Sequence, residues 1–467
     1  MTGRAGAEAE PTSTVAGSGA HVPARDEPSA SGADPAGASG GASTSVSGSA
    51  SQGAAGGVPA RARRAASGAW WSPRSWAWWV QVLAVYALAR AFSAALILVS
   101  AAHQGPTPWA GEHPSYAETT GLFWDAGWYH RIADEGYPDE LPRDDNGYVQ
   151  QSAWAFFPLY PMLVRGLMAV TSLGWEVVAP TTSLLLGAAA MLVVHRAVVH
   201  GAPRACAAWP GLPLATVVLT SVFPTSAVLQ VAYTEALALL LVAAALLLLV
   251  RRHYLATAGV LVLLGLTRAV ALPMAVVVGV HLLVRWVGAR RGREPLPARD
   301  LAAIVGLGVV AVVSGFLWPA VCGWATGEPE GYLRTQEAWR GVRAVTPFGG
   351  WDYVLQFWFG GAAWWVLAAA VAFVVTLLVV PAARRLGPEL HTWPAAYLLY
   401  LAAAIEPGSS LARFLVLAFP AGAITAGVVR RPGAARWVWF AGVVVLMLML
   451  QAVWVWRFWR LTSGWPP

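Results

Sequence analysis

Long apolar segments separated by short polar loops recur along most of this chain. Apolar runs near 20 residues are typical of transmembrane helices, and the short alternating segments of a membrane β-barrel are absent. The pattern therefore predicts an all-α polytopic membrane protein with about 11 transmembrane helices. The candidate spans cover residues 77–101, 176–199, 209–223, 226–250, 254–267, 269–285, 301–324, 360–380, 391–405, 411–429 and 436–458.

Composition supports a membrane protein and argues against a nucleic-acid partner. The chain is 57% hydrophobic and only 12% charged, whereas soluble domains carry about 25% charged residues. Its formal charge of +7 comes from arginines in short loops between apolar segments, which the positive-inside rule explains. Cys206 and Cys322 are isolated, and no histidine belongs to a zinc-ligand spacing, so the sequence contains no metal motif.

The first 70 residues differ from the rest of the chain. They are rich in Ala, Gly, Ser and Pro and have no apolar period, which predicts a disordered tail. Residues 71–467 then form the membrane domain. Arg61, Arg63, Arg64 and Arg74 precede the first span and place the tail in the cytoplasm.

The segment 154–173 decides the predicted topology. It is apolar, but two prolines and Arg165 interrupt it. If it does not cross the membrane, the arginine-rich loops around 196–204, 251–252, 290–293, 384–385 and 430–431 all face the cytoplasm. We therefore expect short interfacial or half-inserted helices within a large first outer loop, 102–175, and a second outer loop at 325–358. Arg457 and Arg460 are the exceptions, because eleven crossings place them outside.

The most informative residue in the first outer loop is Asp125. Residues 102–153 contain nine acidic residues against two arginines, and Asp125 lies between aromatic residues just after the first span. One interpretation is a helix N-cap for residues 128–135, since Asp accepts hydrogen bonds from free N–H groups at a helix start. The other is a general base or a hydroxyl-binding carboxylate at the bilayer surface. The two roles are compatible.

Several charged and aromatic residues share the predicted outer side with Asp125. A carboxylate that enters a membrane helix, as Glu235 does, usually faces a cavity or a partner. Arginines there suit an anionic lipid phosphate, which a guanidinium binds through two parallel hydrogen bonds. Snorkelling interface residues, solvated ion pairs and an aromatic belt are the structural alternatives. The candidate substrate-binding residues are Trp124, His130, Arg131, Tyr160, Glu235, Arg268 and Arg413, and Arg334, Arg340 and Arg343 are further loop arginines.

Three landmarks in order resemble a known family. They are Trp124-Asp125 running to Gly136-Tyr137, then Phe156-Phe157-Pro158-Leu159-Tyr160-Pro161, then Phe223-Pro224 followed by Tyr233-Thr234-Glu235. Together they resemble the PIG-V-type mannosyltransferases (the GPI mannosyltransferase 2 family) within the GT-C membrane glycosyltransferases. The resemblance extends over roughly residues 76–270, and 413–420 is a weaker C-terminal counterpart.

The resemblance implies a GT-C-like bundle and an extracytoplasmic active site in the cell membrane. It also implies a polyprenyl-phosphate mannose donor and a lipid or protein acceptor. In GT-C enzymes the first outer loop carries the acidic catalytic residue, which corresponds by position to Asp125. The family's histidine close to this acid is not matched, because Ala126, Gly127 and Trp128 precede His130. The chain uses arginine and no lysine and is rich in Ala, Gly and Pro, which is typical of a GC-rich bacterial genome. A bacterial source would argue against a GPI acceptor.

Other classes of function stay open on the sequence alone. A transporter or flippase of a lipid-linked sugar would use Glu235 and Arg268 as intramembrane gates. A non-catalytic membrane scaffold would use the acidic loop to bind a partner. No cofactor is certain: the acidic loop has the charge to hold a divalent cation, although no ligand spacing requires one.

Overall fold

The computed structural model describes residues 76–342 and 344–461, and within these ranges the secondary structure is helical without strands. The predicted tail, 1–70, and Arg343 lie outside the described residues. The α-helices are α1 Trp78–Ala102, α2 Tyr116–Gly121, α3 Asp125–Glu135, α4 Leu159–Thr171, α5 Trp175–Gly201, α6 Pro203–Ala208, α7 Leu212–Ser221, α8 Glu235–Val250, α9 Tyr254–Gly265, α10 Leu272–Arg290, α11 Ala298–Thr326, α12 Gly331–Arg340, α13 Trp351–Phe359, α14 Ala363–Val379, α15 Pro388–Ala404, α16 Leu411–Phe414, α17 Pro420–Ala426 and α18 Ala434–Trp454.

The all-α membrane architecture predicted from the apolar pattern is confirmed. Within the described ranges, six helical stretches are long and apolar enough to cross a membrane. They are Trp78–Ala102, Trp175–Gly201, Leu272–Arg290, Ala298–Thr326, Trp351–Arg385 and Ala434–Trp459. Several other predicted spans correspond to shorter apolar helices such as α7, α8 and α9. The total of about 11 crossings therefore stays a prediction.

Helix α4 occupies the proline-interrupted segment whose crossing decided the predicted topology. It has 13 residues, and at a rise of about 1.5 Å per residue it is too short to cross an apolar layer of roughly 30 Å alone. Its buried face, Tyr160, Pro161 and Val164, packs towards α3 and α5. The short helix is compatible with the predicted half-inserted position.

Helix α8 lies at the centre of the bundle. Most of its residues are buried, from Glu235 at its first turn to Leu249 near its end, as expected of a helix that is apolar on all sides. It packs against α5, α9 and the chain around Leu415–Leu417. Because α8 is central, the residues at its N-terminus are enclosed by other elements, and this is where the polar site lies.

A buried polar cluster stabilises the irregular backbone that leads into α8. The α7 helix ends at Ser221, and the next regular α-helix begins only at Glu235. Arg90 of α1 donates to the Ser221 carbonyl over 2.6 Å and also to the Ser226 carbonyl, while Gln451 of α18 donates to Phe223 O over 3.1 Å. Within an apolar layer, freed backbone carbonyls need such partners. These contacts hold the approach to Glu235 in one conformation.

Helices α9 and α11 pack closely at Gly265, and a substitution there tests this contact. A Cβ added to Gly265 would lie 2.3 Å from the Ser314 carbonyl oxygen of α11, whereas one at Gly259 on the same helix would meet nothing within 4 Å. Overpacking of this kind typically costs about 1–3 kcal/mol. We expect Gly265→Ala to lower the thermal unfolding midpoint of the detergent-solubilised protein, and Gly259→Ala to leave it unchanged. Equal midpoints for the two variants would contradict the α9–α11 contact.

Candidate active site

Asp125 lies in the first turn of α3, which begins three residues earlier than the sequence pattern predicted. The predicted capping role for Asp125 was therefore wrong, because Trp124 occupies the N-cap position and its side chain makes no capping bond. A carboxylate in the first turn is still favoured by the helix dipole. The shift in the helix start turns the Asp125 carboxylate towards other side chains instead of its own backbone.

The residue before Asp125 adopts an unusual backbone conformation. Trp124 has φ of 58° and ψ of −123°, a combination that a bulky residue rarely adopts. Its ring packs against Trp109, with 5.2 Å between the ring centroids. Backbone strain of this kind persists only where the surroundings hold it, and it is found preferentially at functional sites. Trp124 therefore orients Asp125 through the backbone.

Four charged side chains of alternating sign form a connected group, here called the charge chain: Asp125, Arg413, Glu235 and Arg268. Arg413 Nη2 donates to Asp125 Oδ2, and Arg413 Nε lies 3.6 Å from Glu235 Oε1. The same Glu235 oxygen lies 3.0 Å from Arg268 Nη1. The side chain of Glu235 is only 1% exposed, and Arg413 is 7% exposed. Each buried charge thus has an opposite partner, which compensates the loss of its hydration.

Aromatic rings and hydroxyl groups fix the two arginines of the charge chain. The Arg268 guanidinium lies 4.0 Å from the centroid of the Phe414 ring, and that of Arg413 lies 4.9 Å from Tyr233. Arg268 also donates to Thr234 Oγ1 over 3.0 Å, and Tyr129 Oη lies 3.3 Å from that same oxygen. Cation–π contacts and hydrogen bonds together limit both guanidinium groups to few orientations.

A cavity of about 560 Å³ opens beside the charge chain. Its walls combine charged groups with many aromatic rings, which is typical of a small-molecule site with a few polar groups that fix orientation. Glu235 is behind the arginines and is not part of the wall. The lining residues are Asp125, Tyr129, Ala155, Phe156, Phe157, Thr267, Arg268, Ala269, Val270, Tyr332, Gln336, Trp339, Arg340, Tyr353, Tyr400, Leu401, Ile405, Glu406, Gly408, Ser409, Ser410, Arg413 and Phe414.

Three other predicted binding residues have partners away from the cavity wall. His130 lies 3.1 Å from Asp134 and stacks on Trp175, and Arg131 forms an exposed ion pair with Glu135 at 2.7 Å. The Tyr160 hydroxyl is fully buried and donates to the Ala179 carbonyl over 2.8 Å. Arg131 and Glu135 are exposed, as in a solvated ion pair, whereas Tyr160 is packed in the core.

The loop arginines of the second predicted outer loop separate into two groups. Arg340 lines the cavity and donates to the Ala404 carbonyl over 2.8 Å. Arg334 instead forms surface ion pairs with Glu328 and Glu330. Of the two loop arginines within the described residues, Arg340 is therefore the one placed to contact a molecule in the cavity.

Several cavity residues were not singled out from the sequence. They include Tyr332, Gln336 and Trp339 of α12, Tyr400 of α15, and Glu406 in the turn after α15. Burial raises the pKa of the Glu406 carboxyl above its usual value, and the positive charge of Arg340 opposes that rise. Tyrosine and tryptophan near helix ends carry little signal, since membrane interfaces favour them everywhere.

Metal binding has no obvious location in the part of the chain that the structure describes. No group of three or more His, Cys, Asp or Glu side chains there is arranged to hold a metal ion. Two carboxylates of the charge chain are already neutralised by arginines.

Comparisons with known proteins gave distant structural neighbours and no match in sequence. No protein-family model matches the chain, and no curated protein matches it. Among solved structures, the Archaeoglobus fulgidus oligosaccharyltransferase tethered to an acceptor peptide with the NVT sequon aligns at 13% identity and a TM-score of 0.43. The alignment covers 83% of this chain and 56% of that protein, so this chain spans little more than half its length. A similarity of this extent does not by itself indicate a shared activity.

Proposed function

We propose that the protein is a membrane glycosyltransferase of the GT-C type that transfers a mannosyl (hexosyl) residue from a polyprenyl-phosphate sugar to an acceptor. In this proposal the reaction takes place on the extracytoplasmic side. The observation that carries the proposal is the convergence of Asp125, Arg268 and Arg413 on one aromatic-walled cavity. These residues come from distant parts of the sequence, and together they supply one base and two phosphate-binding cations.

The two arginines provide the charge that a phosphate leaving group needs. A guanidinium binds phosphate through two parallel hydrogen bonds, and a partly buried site strengthens that attraction. Arg268 and Arg413 both line the cavity, and Glu235 behind them keeps the pair close together. We assign the donor phosphate to these two guanidinium groups. The apolar helices beside the cavity accommodate the polyprenyl chain.

Asp125 is the base in the proposed reaction. The acceptor hydroxyl oxygen attacks the anomeric carbon as its proton passes to Asp125, and the bond from that carbon to the phosphate oxygen breaks. The electron pair leaves with polyprenyl phosphate, which the arginines stabilise. A single displacement inverts the configuration at the anomeric carbon. General-base assistance of this kind is typically worth about 10²–10⁴-fold.

The ion pair between Asp125 and Arg413 suggests the order in which the two substrates bind. While Asp125 accepts a hydrogen bond from Arg413, its carboxylate is less available to an acceptor hydroxyl. A donor phosphate competes for the same guanidinium and releases Asp125. The donor therefore binds first and activates the base for the acceptor.

A deletion strain provides the test in the cell. We expect it to lack one mannose-containing glycolipid or glycoprotein, and to accumulate the acceptor that is one sugar shorter. The wild-type gene should restore the missing product, and the Asp125→Asn gene should not. An unchanged glycolipid and glycoprotein profile would contradict a transferase. Accumulation of a complete lipid-linked sugar on the cytoplasmic side of the membrane would instead favour a flippase.

A further inference from the structure

The cavity contains a second carboxylate, Glu406, which is separate from the charge chain. It lies in the turn between α15 and α16 and lines the cavity, where it is partly buried. In the described ranges, no hydrogen bond or ion pair engages its side-chain carboxylate. Gly350 makes room for it: a Cβ there would lie 2.9 Å from Glu406 Cγ, and the φ of 83° at Gly350 also disfavours a side chain.

Three hydrogen bonds fix the chain around Glu406. The last carbonyls of α15 have no partners within their own helix, and the second predicted outer loop supplies donors to them. Arg340 Nη2 donates to Ala404 O over 2.8 Å, Phe348 N to Ala403 O over 2.9 Å, and Trp351 Nε1 to Ala402 O over 2.9 Å. The turn that carries Glu406 begins directly after these residues. Glu406 is therefore held in a defined position against the loop.

Aromatic rings line the same cavity as this carboxylate. Tyr353 would lie 3.5 Å from a Cβ at Gly350, next to Glu406, and Trp339 precedes Arg340 on α12. The Trp339 ring is held by edge-to-face contacts with Trp128 and Phe156, at centroid distances of 5.2 Å and 5.4 Å. The negative face of such a ring attracts the C–H groups of a sugar, whereas a carboxylate accepts hydrogen bonds from its hydroxyl groups.

Glu406 is opposite in charge to Arg268 and Arg413, which line the same cavity. A carboxylate repels a phosphate, so Glu406 is a poor place for the donor's anionic group. Hydroxyl groups are neutral donors that a carboxylate binds through strong charge-assisted hydrogen bonds. From this arrangement we infer that Glu406, Arg340, Trp339 and Tyr353 form an acceptor subsite that binds the hydroxyl groups of a sugar. The inference rests on the proposed function, because the same cavity would hold donor and acceptor together.

The test measures acceptor binding without relying on transfer. Radiolabelled p-nitrophenyl α-mannoside serves as the probe, and equilibrium dialysis against the purified full chain in detergent gives its dissociation constant. We expect Glu406→Gln to weaken binding about tenfold, the loss typical of one charge-assisted hydrogen bond. Glu406→Asp should restore part of the affinity. Glu330→Gln is the matched control, since Glu330 is an exposed carboxylate paired with Arg334 on the same loop.

The outcomes separate this inference from the proposed function. Loss of mannoside binding in Glu406→Gln at an unchanged thermal midpoint supports the subsite, even if no transfer from a polyprenyl-phosphate sugar is found. Equal binding by wild type and Glu406→Gln overturns it, even if transfer is efficient. It is also overturned if wild type binds no mannoside and instead binds a serine-containing peptide, which would make the acceptor a protein side chain.

Discussion

The Asp125→Asn protein is expected to transfer sugar about 10²–10⁴-fold more slowly than wild type. Asparagine has the same shape and can still accept a hydrogen bond from Arg413, but it cannot take up the acceptor proton. Removal of the negative charge also frees Arg413 for the donor phosphate. The KM for the donor should therefore stay the same or fall while kcat falls. Initial rates with a polyprenyl-phosphate sugar, at varied donor concentration, measure both constants.

The matched control for this variant is Asp145→Asn. Asp145 is an exposed acid in the same predicted loop and does not line the cavity. Its substitution should leave both kinetic constants at wild-type values. A turnover of Asp125→Asn within a factor of about three of wild type would contradict the assigned base, since a positioned base contributes far more. A large rise in donor KM would instead place Asp125 in donor binding.

Substitution of Arg413 is expected to lower both stability and donor affinity. Arg413→Gln leaves the Asp125 carboxylate without its cation and takes one of two arginines from the buried Glu235. Loss of one partner from a buried ion pair typically costs about 3–5 kcal/mol. Arg413→Lys keeps the charge but loses the planar pair of donors, so it should stay folded and bind the donor more weakly. Thermal unfolding midpoints and donor KM values distinguish these effects.

A double variant shows whether the charge chain is one unit. Glu235→Gln combined with Arg413→Gln removes one charge of each sign from residues in contact, so their effects should not add. We expect the double variant to be more stable than the sum of the single losses by about 0.5–3 kcal/mol. Arg143→Gln combined with Glu328→Gln is the control, because these residues pair at the surface, where such a pair contributes little. Strict additivity at Arg413 and Glu235 would contradict a coupled chain.

The longest helical spans were predictable because their hydropathy favours a membrane-crossing helix. An apolar run long enough for the bilayer has few alternatives, and α1, α5, α11 and α18 lie close to their predicted positions. The start of α3 was less predictable, since it depends on the unusual φ of Trp124 and not on a capping side chain. Regions where the helix is broken, as between Ser221 and Glu235, depend on distant partners such as Arg90 and Gln451.

The site was partly predictable for a different reason. The positive-inside rule predicted that Asp125, Glu235, Arg268 and Arg413 lie on one side of the membrane, but it predicted no contacts between them. Asp125 and Arg413 are 288 positions apart, and only the folded bundle brings them together. Glu406 carried no motif of its own and became a candidate through the cavity around it. His130 and Arg131 show the converse, since their neighbours on α3 already pair with them.

One measurement tests the central claim most directly. The purified chain in proteoliposomes receives polyprenyl-phosphate mannose that carries label in the sugar, together with membrane extract from the deletion strain as acceptor. The account predicts labelled mannose in a new product, with release of one polyprenyl phosphate for each sugar transferred, and about 10²–10⁴-fold less product from Asp125→Asn. Label that crosses the bilayer on an intact donor, or product formation that is equal in both proteins, would contradict the account.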